Sequence, residues 1–255
     1  MAEALLEPVQ VIEETPDMSH IITEDDEPVD NVFSEKQQRL LVEPLYSSWN
    51  PGKPFIAAAN VGIFNAIYEP PIVPDMFLSL NVHTDKDLWP KQNRSYFIWK
   101  FGKAPEVAVE VVSNTQGGEA DKKFRKYARI GVWYYVIFDP QRFIQEEVLR
   151  VYELSFGQYT LKQNSQLDHV GLGLKLWNGP FEDQEEQWLR WYDLGGRMIL
   201  TGAEVAIQER QRADREQQRA EQAQQRAEQA QQRAERLAAQ LRALGIEPDD
   251  KPEVS

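Results

Sequence analysis

The sequence predicts a mixed α/β fold, with a central, largely antiparallel sheet flanked by helices and one long C-terminal helix. Three observations predict it. Short apolar runs rich in β-branched and aromatic residues recur between about residues 55 and 177, and amphipathic helical patterns lie before and among them. From about Ile199 the composition turns to Ala, Gln, Glu and Arg with a period of seven. At 255 residues and 42 % hydrophobic content, the chain can bury one core and carry appendages.

Residues 1–30 hold ten acidic residues, no Lys or Arg, and Pro8, Pro16 and Pro28, so a disordered acidic arm is expected there. A folded domain is expected over 31–198. Within it, Ser34 caps a helix that runs through Glu43 and is ended by Pro44. Phe55 to Tyr68, interrupted by Asn60 and Gly62, reads as two short strands or a strand and a bend. Pro70, Pro71 and Pro74 set an extended approach to Asp75 and a strand from Met76 to Val82. Residues 83–95 are polar and turn-rich, a loop before a short aromatic strand from Tyr96 to Phe101. Glu106 to Val112 is the most β-branched run in the chain, closed by a turn over Ser113–Gly118. A helix should follow from about Glu119 to Ile130, with Gly131 as its stop. Val132 to Phe138 is a buried strand ended by Asp139-Pro140. Arg150–Leu154 and Tyr159–Gln163 flank Ser155-Phe156-Gly157-Gln158 as a hairpin, and Leu172 to Trp177 is expected to complete the sheet.

Over 199–244 the heptad RAEQAQQ starts at Arg219 and again at Arg226, with an altered copy at Arg233. Ala220, Ala223, Ala227, Ala230, Ala234, Leu237, Leu241 and Leu244 follow the spacing of a coiled-coil seam, along a helix of roughly 69 Å at about 1.5 Å per residue. Alanine buries little surface, so weak or close-packed pairing and a single solvated helix held by Arg–Glu pairs stand about even. A homodimer through this helix or through the core is one expectation. Residues 245–255 read as a disordered tail.

Composition excludes several chemistries. Without cysteine there is no disulfide framework, zinc ribbon or thiol nucleophile. No run of about 18 apolar residues occurs, and the acidic N-terminal stretch is the opposite of a signal or transit peptide, so a cytoplasmic protein without a membrane partner is expected. A net charge of −13 argues against coating nucleic acid by bulk electrostatics, but much of it lies in the acidic arm. His20, His83 and His169 show no metal-ligand spacing and read as solvated. Trp133, Tyr134, Tyr135, Trp188, Trp191 and Tyr192 read as core or dimer surface rather than as base-stacking platforms.

Asp75, Glu110 and Lys123 are the constellation that carries chemistry. Strand alternation sets Glu110 on one face with Ala108 and Val112, where an uncompensated carboxylate would cost several kcal/mol. It therefore binds a metal, pairs with a cation or escapes at a strand end. Glu106, on the same face but near Pro105, reads as solvated. Asp75 alone is ordinary Pro-Asp turn chemistry; two acids brought together from neighbouring strands instead call for a cation between them. In the helix after Glu110, Ala120, Phe124, Tyr127 and Ala128 form the apolar stripe. Lys122, Arg125, Lys126 and Arg129 point away, and Lys123 lies on the flank with its stem along the sheet. The bland account of Lys123 is a pair with Glu119. Two acids and an ammonium suit a Mg²⁺- or Mn²⁺-dependent hydrolase in which the acids hold the metal and the lysine orients or activates a water for attack on a phosphodiester.

Pro74-Asp75, APEVAVEVVSN (104–114), GGE (117–119), Lys123 and YARIGVWYYVIFDP (127–140) together resemble the Uma2 family, common in cyanobacteria and classed as endonucleases of the PD-(D/E)XK superfamily. The resemblance covers roughly residues 30 to 200. It implies a restriction-endonuclease-like core, nucleic acid as partner with DNA favoured, Asp75 and Glu110 as metal ligands, and a backbone carbonyl near Val111 as a third. The superfamily's usual lysine, two residues after the acid, is Val112 here. Uma2-like sequences resemble the variant with that lysine on the next helix, where Lys123 stands. Glu35 or Glu43 would be an additional acid. A nuclease-like scaffold without catalysis, acting as an interaction module through its C-terminal helix, is the rival, favoured by the net acidity and by Val112.

Overall fold

The computed structural model describes residues 31–113 and 118–244; the expected N-terminal arm, most of the turn before the third helix and the C-terminal tail lie outside them. The chain divides into two compact units on either side of the Thr201–Gly202 bond. Through Thr201 the order is α1 (Val32–Ser48), β1 (Phe55–Ala59), β2 (Ile63–Phe64), β3 (Met76–Leu80), β4 (Tyr96–Phe97), α2 (Ile98–Phe101), β5 (Val107–Val111), α3 (Gly118–Ile130), β6 (Tyr134–Phe138), β7 (Leu149–Ser155), β8 (Gln158–Leu161), β9 (Gln166–Leu167), β10 (Leu172–Phe181) and β11 (Gln184–Asp193). The second unit is α4 (Gly202–Ala243).

The central sheet has the order β1-β3-β5-β6-β7-β8. All its pairs are antiparallel except β5–β6, the pair that α3 connects. A parallel pair needs such a crossover, and this one fixes where α3 lies. Every residue of β3, β5 and β6 is buried, because both faces of the sheet are covered. Met76, Leu78, Val107, Val109, Val111, Val136 and Phe138 face α1 and a separate sheet of β9, β10 and β11. Phe77, Ala108, Tyr135 and Ile137 point the other way, with Tyr127 of α3 and with Ile63 and Tyr96 of the small parallel β2–β4 pair. Strand alternation then puts Glu110 on the α3 face.

Four expectations need correction. Asn31, not Ser34, caps α1: its side chain accepts from the N–H of the buried Ser34. The helix also runs through Pro44 to Ser48. Proline inside a helix costs about 3 kcal/mol, but Leu40, Leu41 and Leu45 are fully buried around it, each contributing roughly 1.5–3 kcal/mol. The aromatic run at Tyr96 keeps two strand residues and then coils into α2, closed by Gly102 at φ +73°. Leu172–Trp177 does not complete the central sheet; it is the first half of the long β10, paired along its length with β11. The β10–β11 turn places Glu182 and Asp183 at φ +46° and +64°, and ion pairs from Lys36 and Arg39 of α1 hold Glu182. Other expectations are met. Gly131 stops α3 at φ +86°, and the β7–β8 hairpin turns through Phe156-Gly157 with both φ positive, as a two-residue loop of this hand requires.

α4 buries no residue. Gln217–Glu221, Gln224–Glu228 and Gln231–Glu235 repeat the same i, i+4 hydrogen bond one heptad apart, at 2.9–3.1 Å. Among the described residues, no helix is long and apolar enough to cross a membrane.

Candidate active site

The β3–β5 ladder pairs Phe77 with Ala108 and Met76 with Val109, so one further step sets Asp75 opposite Glu110. Asp75 precedes β3, where the chain has left the ladder, and its carboxylate takes over the backbone pairing: Oδ2 accepts from the Val111 N–H at 2.7 Å. Its Oδ1 accepts from Gln38 Nε2 of α1 at 2.8 Å, and Gln38 exchanges further hydrogen bonds with Asn60 at the end of β1. Asn60 takes φ +54° and donates its N–H to the Asp75 carbonyl at 3.3 Å.

Glu110 is 9 % exposed. From α3, Tyr127 donates its hydroxyl to Oε1 at 2.7 Å. One turn earlier on the same helix face, Lys123 reaches Oε2 at 2.7 Å and the Val73 carbonyl at 3.2 Å. Lys123 thus ties α3 both to the acid of β5 and to the segment leading into Asp75. Burial pushes the Glu110 carboxyl up to about 7; Lys123 opposes that, while the neighbouring Asp75 charge adds to it. Burial and the Glu110 charge together hold the Tyr127 hydroxyl well above the ordinary tyrosine range, so it remains a donor.

Asp75, Glu110 and Lys123 are therefore brought to one place. Val112, where the resemblance implied a lysine in other relatives, packs with the α3-side core. Glu35 is engaged by Arg39, and Glu43 is exposed and accepts from Ser47. Gln38 is the α1 residue at Asp75. Glu106 departs from the solvated expectation: it accepts the Leu80 N–H at 2.8 Å and pairs with Lys103. The Glu119 side chain lies outside the described residues. The sequence also left Gln38, Asn60 and Tyr127 without a polar role. One signal for Tyr127 was present, since positions 123 and 127 share a helix face and can reach the same acid. Two adjacent glutamines beside Leu40 and Leu41 were the corresponding signal in α1. Of the aromatic cluster, Tyr134, Tyr135, Trp188 and Trp191 are buried, while Trp133 is exposed with its ring edge-on to His169.

Among the described residues, no group of three or more His, Cys, Asp or Glu side chains forms a metal cluster. The pair itself fits a small hard cation: it offers carboxylate oxygens alone, and Mg²⁺-type sites use one or two carboxylates with the remaining positions filled by water or substrate. The repulsion that Asp75 exerts on Glu110 is what a cation between them would relieve.

A model of the Uma2 family, described as "Putative restriction endonuclease", matches residues 24–176, more than half of the chain and a span that includes Gln38, Asn60, Asp75, Glu110, Lys123 and Tyr127. The protein belongs to the Uma2 family. A solved structure described as a putative nuclease belonging to DUF820 from Anabaena variabilis ATCC 29413 is similar at 15 % identity, covering 54 % of this chain and 71 % of that one with a TM-score of 0.38. No curated protein matches the chain. As a Uma2 member the chain is of nuclease type, with nucleic acid as the implied substrate.

Proposed function

We propose that this Uma2 protein is a Mg²⁺- or Mn²⁺-dependent endonuclease that hydrolyses phosphodiester bonds, with DNA the favoured substrate and the cytoplasm the favoured compartment. The observation that carries the reading is the convergence of Lys123 and Tyr127 on the buried Glu110, with Asp75 just ahead of the neighbouring strand and bound to the Val111 N–H. A buried acid with a raised pKa, a specific cation and a second acid is a costly arrangement of the kind that functional sites keep. Asp75 and Glu110 would hold the cation. When bound, the cation supplies Lewis acidity toward a phosphate oxygen and makes a water more acidic. Tyr127 fixes the Glu110 rotamer through Oε1, and Gln38 with the Val111 N–H fixes Asp75, so both carboxylates are preorganised. Lys123 Nζ, beside Glu110, orients the attacking water or balances charge developing on the phosphate. The alanine seam of α4 offers two copies a place to pair, with so little surface per layer that a homodimer would form only at high concentration.

The test is cleavage of single- and double-stranded DNA by the purified full chain with Mg²⁺ and with Mn²⁺, beside Asp75→Asn, Glu110→Gln and Lys123→Ala. Each variant is expected to lose roughly 10²-fold or more in rate. Cleavage undiminished in all three defeats the assignment, and a wild type that binds Mn²⁺ without cutting turns the reading to the inactive scaffold.

A further inference from the structure

Five of the chain's 28 basic residues stand within eight positions of α3: Lys122, Lys123, Arg125, Lys126 and Arg129, with no acid among them. Only Lys123 turns in to Glu110. In a chain of formal charge −13, such a cationic run beside an acid pair is informative, because a polyanion brought to Asp75 and Glu110 is repelled unless cations line its approach. A solvated face would explain the charges but not the hollow beside them. That hollow, of about 210 Å³, lies between α3 and the chain leading to Asp75. Ile63, Ile72 and Ile130 contribute apolar walls, and Lys126 and Arg129 stand among its lining residues. Glu69 pairs with Arg129 at 2.6 Å, with both side chains substantially exposed, so this surface pair is weak and can open to a phosphate.

We infer that Lys122, Lys126 and Arg129 form the track for the sugar-phosphate backbone of the substrate, carrying the strand along α3 and past the hollow to Glu110 and Lys123. Their spacing of i, i+4 and i+7 puts them on one side of the helix over about 10.5 Å, the axial length of about three nucleotides in duplex DNA. Lys126 is one turn from Lys123, so the phosphate it holds neighbours the one at the acid pair. The contacts are to the backbone, so they position the strand without selecting its sequence.

The inference rests on the phosphodiesterase reading, and binding is measured apart from cleavage so that the two can fail separately. Fluorescence anisotropy of a labelled duplex oligonucleotide, without divalent metal and across a salt series, compares the full chain with K122E/K126E/R129E, with K122Q/K126Q/R129Q and with R219E/R226E/R233E on α4. Thermal melts confirm that each variant is folded. The glutamate variant is expected to lose at least about tenfold in affinity at low salt. Both α3 variants should flatten the dependence of log affinity on log salt by about 2 to 3, close to 0.9 for each phosphate contact, and the α4 variant should bind as wild type. Unaltered affinity and slope in the α3 variants, or a loss confined to the α4 variant, overturns the track while Mn²⁺-dependent cleavage by the wild type leaves the nuclease reading standing. Binding lost with the α3 charges in a wild type that does not cleave supports the track and removes the nuclease. A wild type that binds no nucleic acid at low salt overturns both.

Discussion

Glu110 answers two opposing demands: the sheet face buries it, while Lys123 and Tyr127 both stabilise its charged form. Burial wins, and its pKa rises to about 7, whereas in the unfolded chain it should titrate near 4.3. Between those two values the native state therefore keeps a proton that the unfolded chain releases. The stabilisation this gives is fully present below about pH 4.3 and is lost as pH rises through about 7, a swing on the order of 3 kcal/mol. Glutamine keeps the size and the acceptor but cannot ionise. In metal-free denaturant titrations, E110Q should thus gain stability relative to wild type as pH rises from about 4.3 to about 7. A difference between the two proteins that stays constant over that window rules out the raised pKa.

At the scale of elements, the β10–β11 hairpin shows why part of the fold was hidden in the sequence. Its two-residue turn places Glu182 and Asp183 in the left-handed region, where Gly, Asn or Asp-Gly would normally announce a hairpin. Trp188, Leu189, Arg190 and Trp191 are all buried, so β11 lacks the alternation of a half-exposed strand. The ion pairs of Glu182 with Lys36 and Arg39 keep it in place, but Asp183 is exposed and bears the backbone cost. D183G should therefore stabilise the protein by up to about 1 kcal/mol in a denaturant titration, and destabilisation would show that its side chain matters more than its φ. By contrast, β3, β5, β6 and α3 were legible because continuous apolar runs and a helical stripe with a glycine stop are strong local signals. Asp75, Glu110 and Lys123 stood out as charges breaking those patterns. Gln38, Asn60 and Tyr127 did not, because their polar partners are distant in sequence and nothing local marks the contact.

Across the whole molecule, charge is distributed unevenly. Ten of the 41 acidic residues and none of the 28 basic ones precede residue 31, so residues 31–255 carry a formal charge of only −3. Ten acidic charges joined to a chain whose basic helix borders the candidate active site would compete with any polyanion for that surface wherever they come within the Debye length, about 10 Å at 0.1 M salt. Removing residues 1–30 should strengthen binding of a labelled duplex roughly three- to tenfold at low ionic strength, mostly through faster association, with the gap closing as salt is raised. The charge of the arm rather than its length should carry the effect. A full-length variant with the ten acids replaced by Gln or Asn should therefore behave as the truncated chain does. Equal affinities for intact and truncated protein at low salt would show that the arm exerts no field at the site, and the net acidity would then stand as a direct objection to nucleic acid as the substrate.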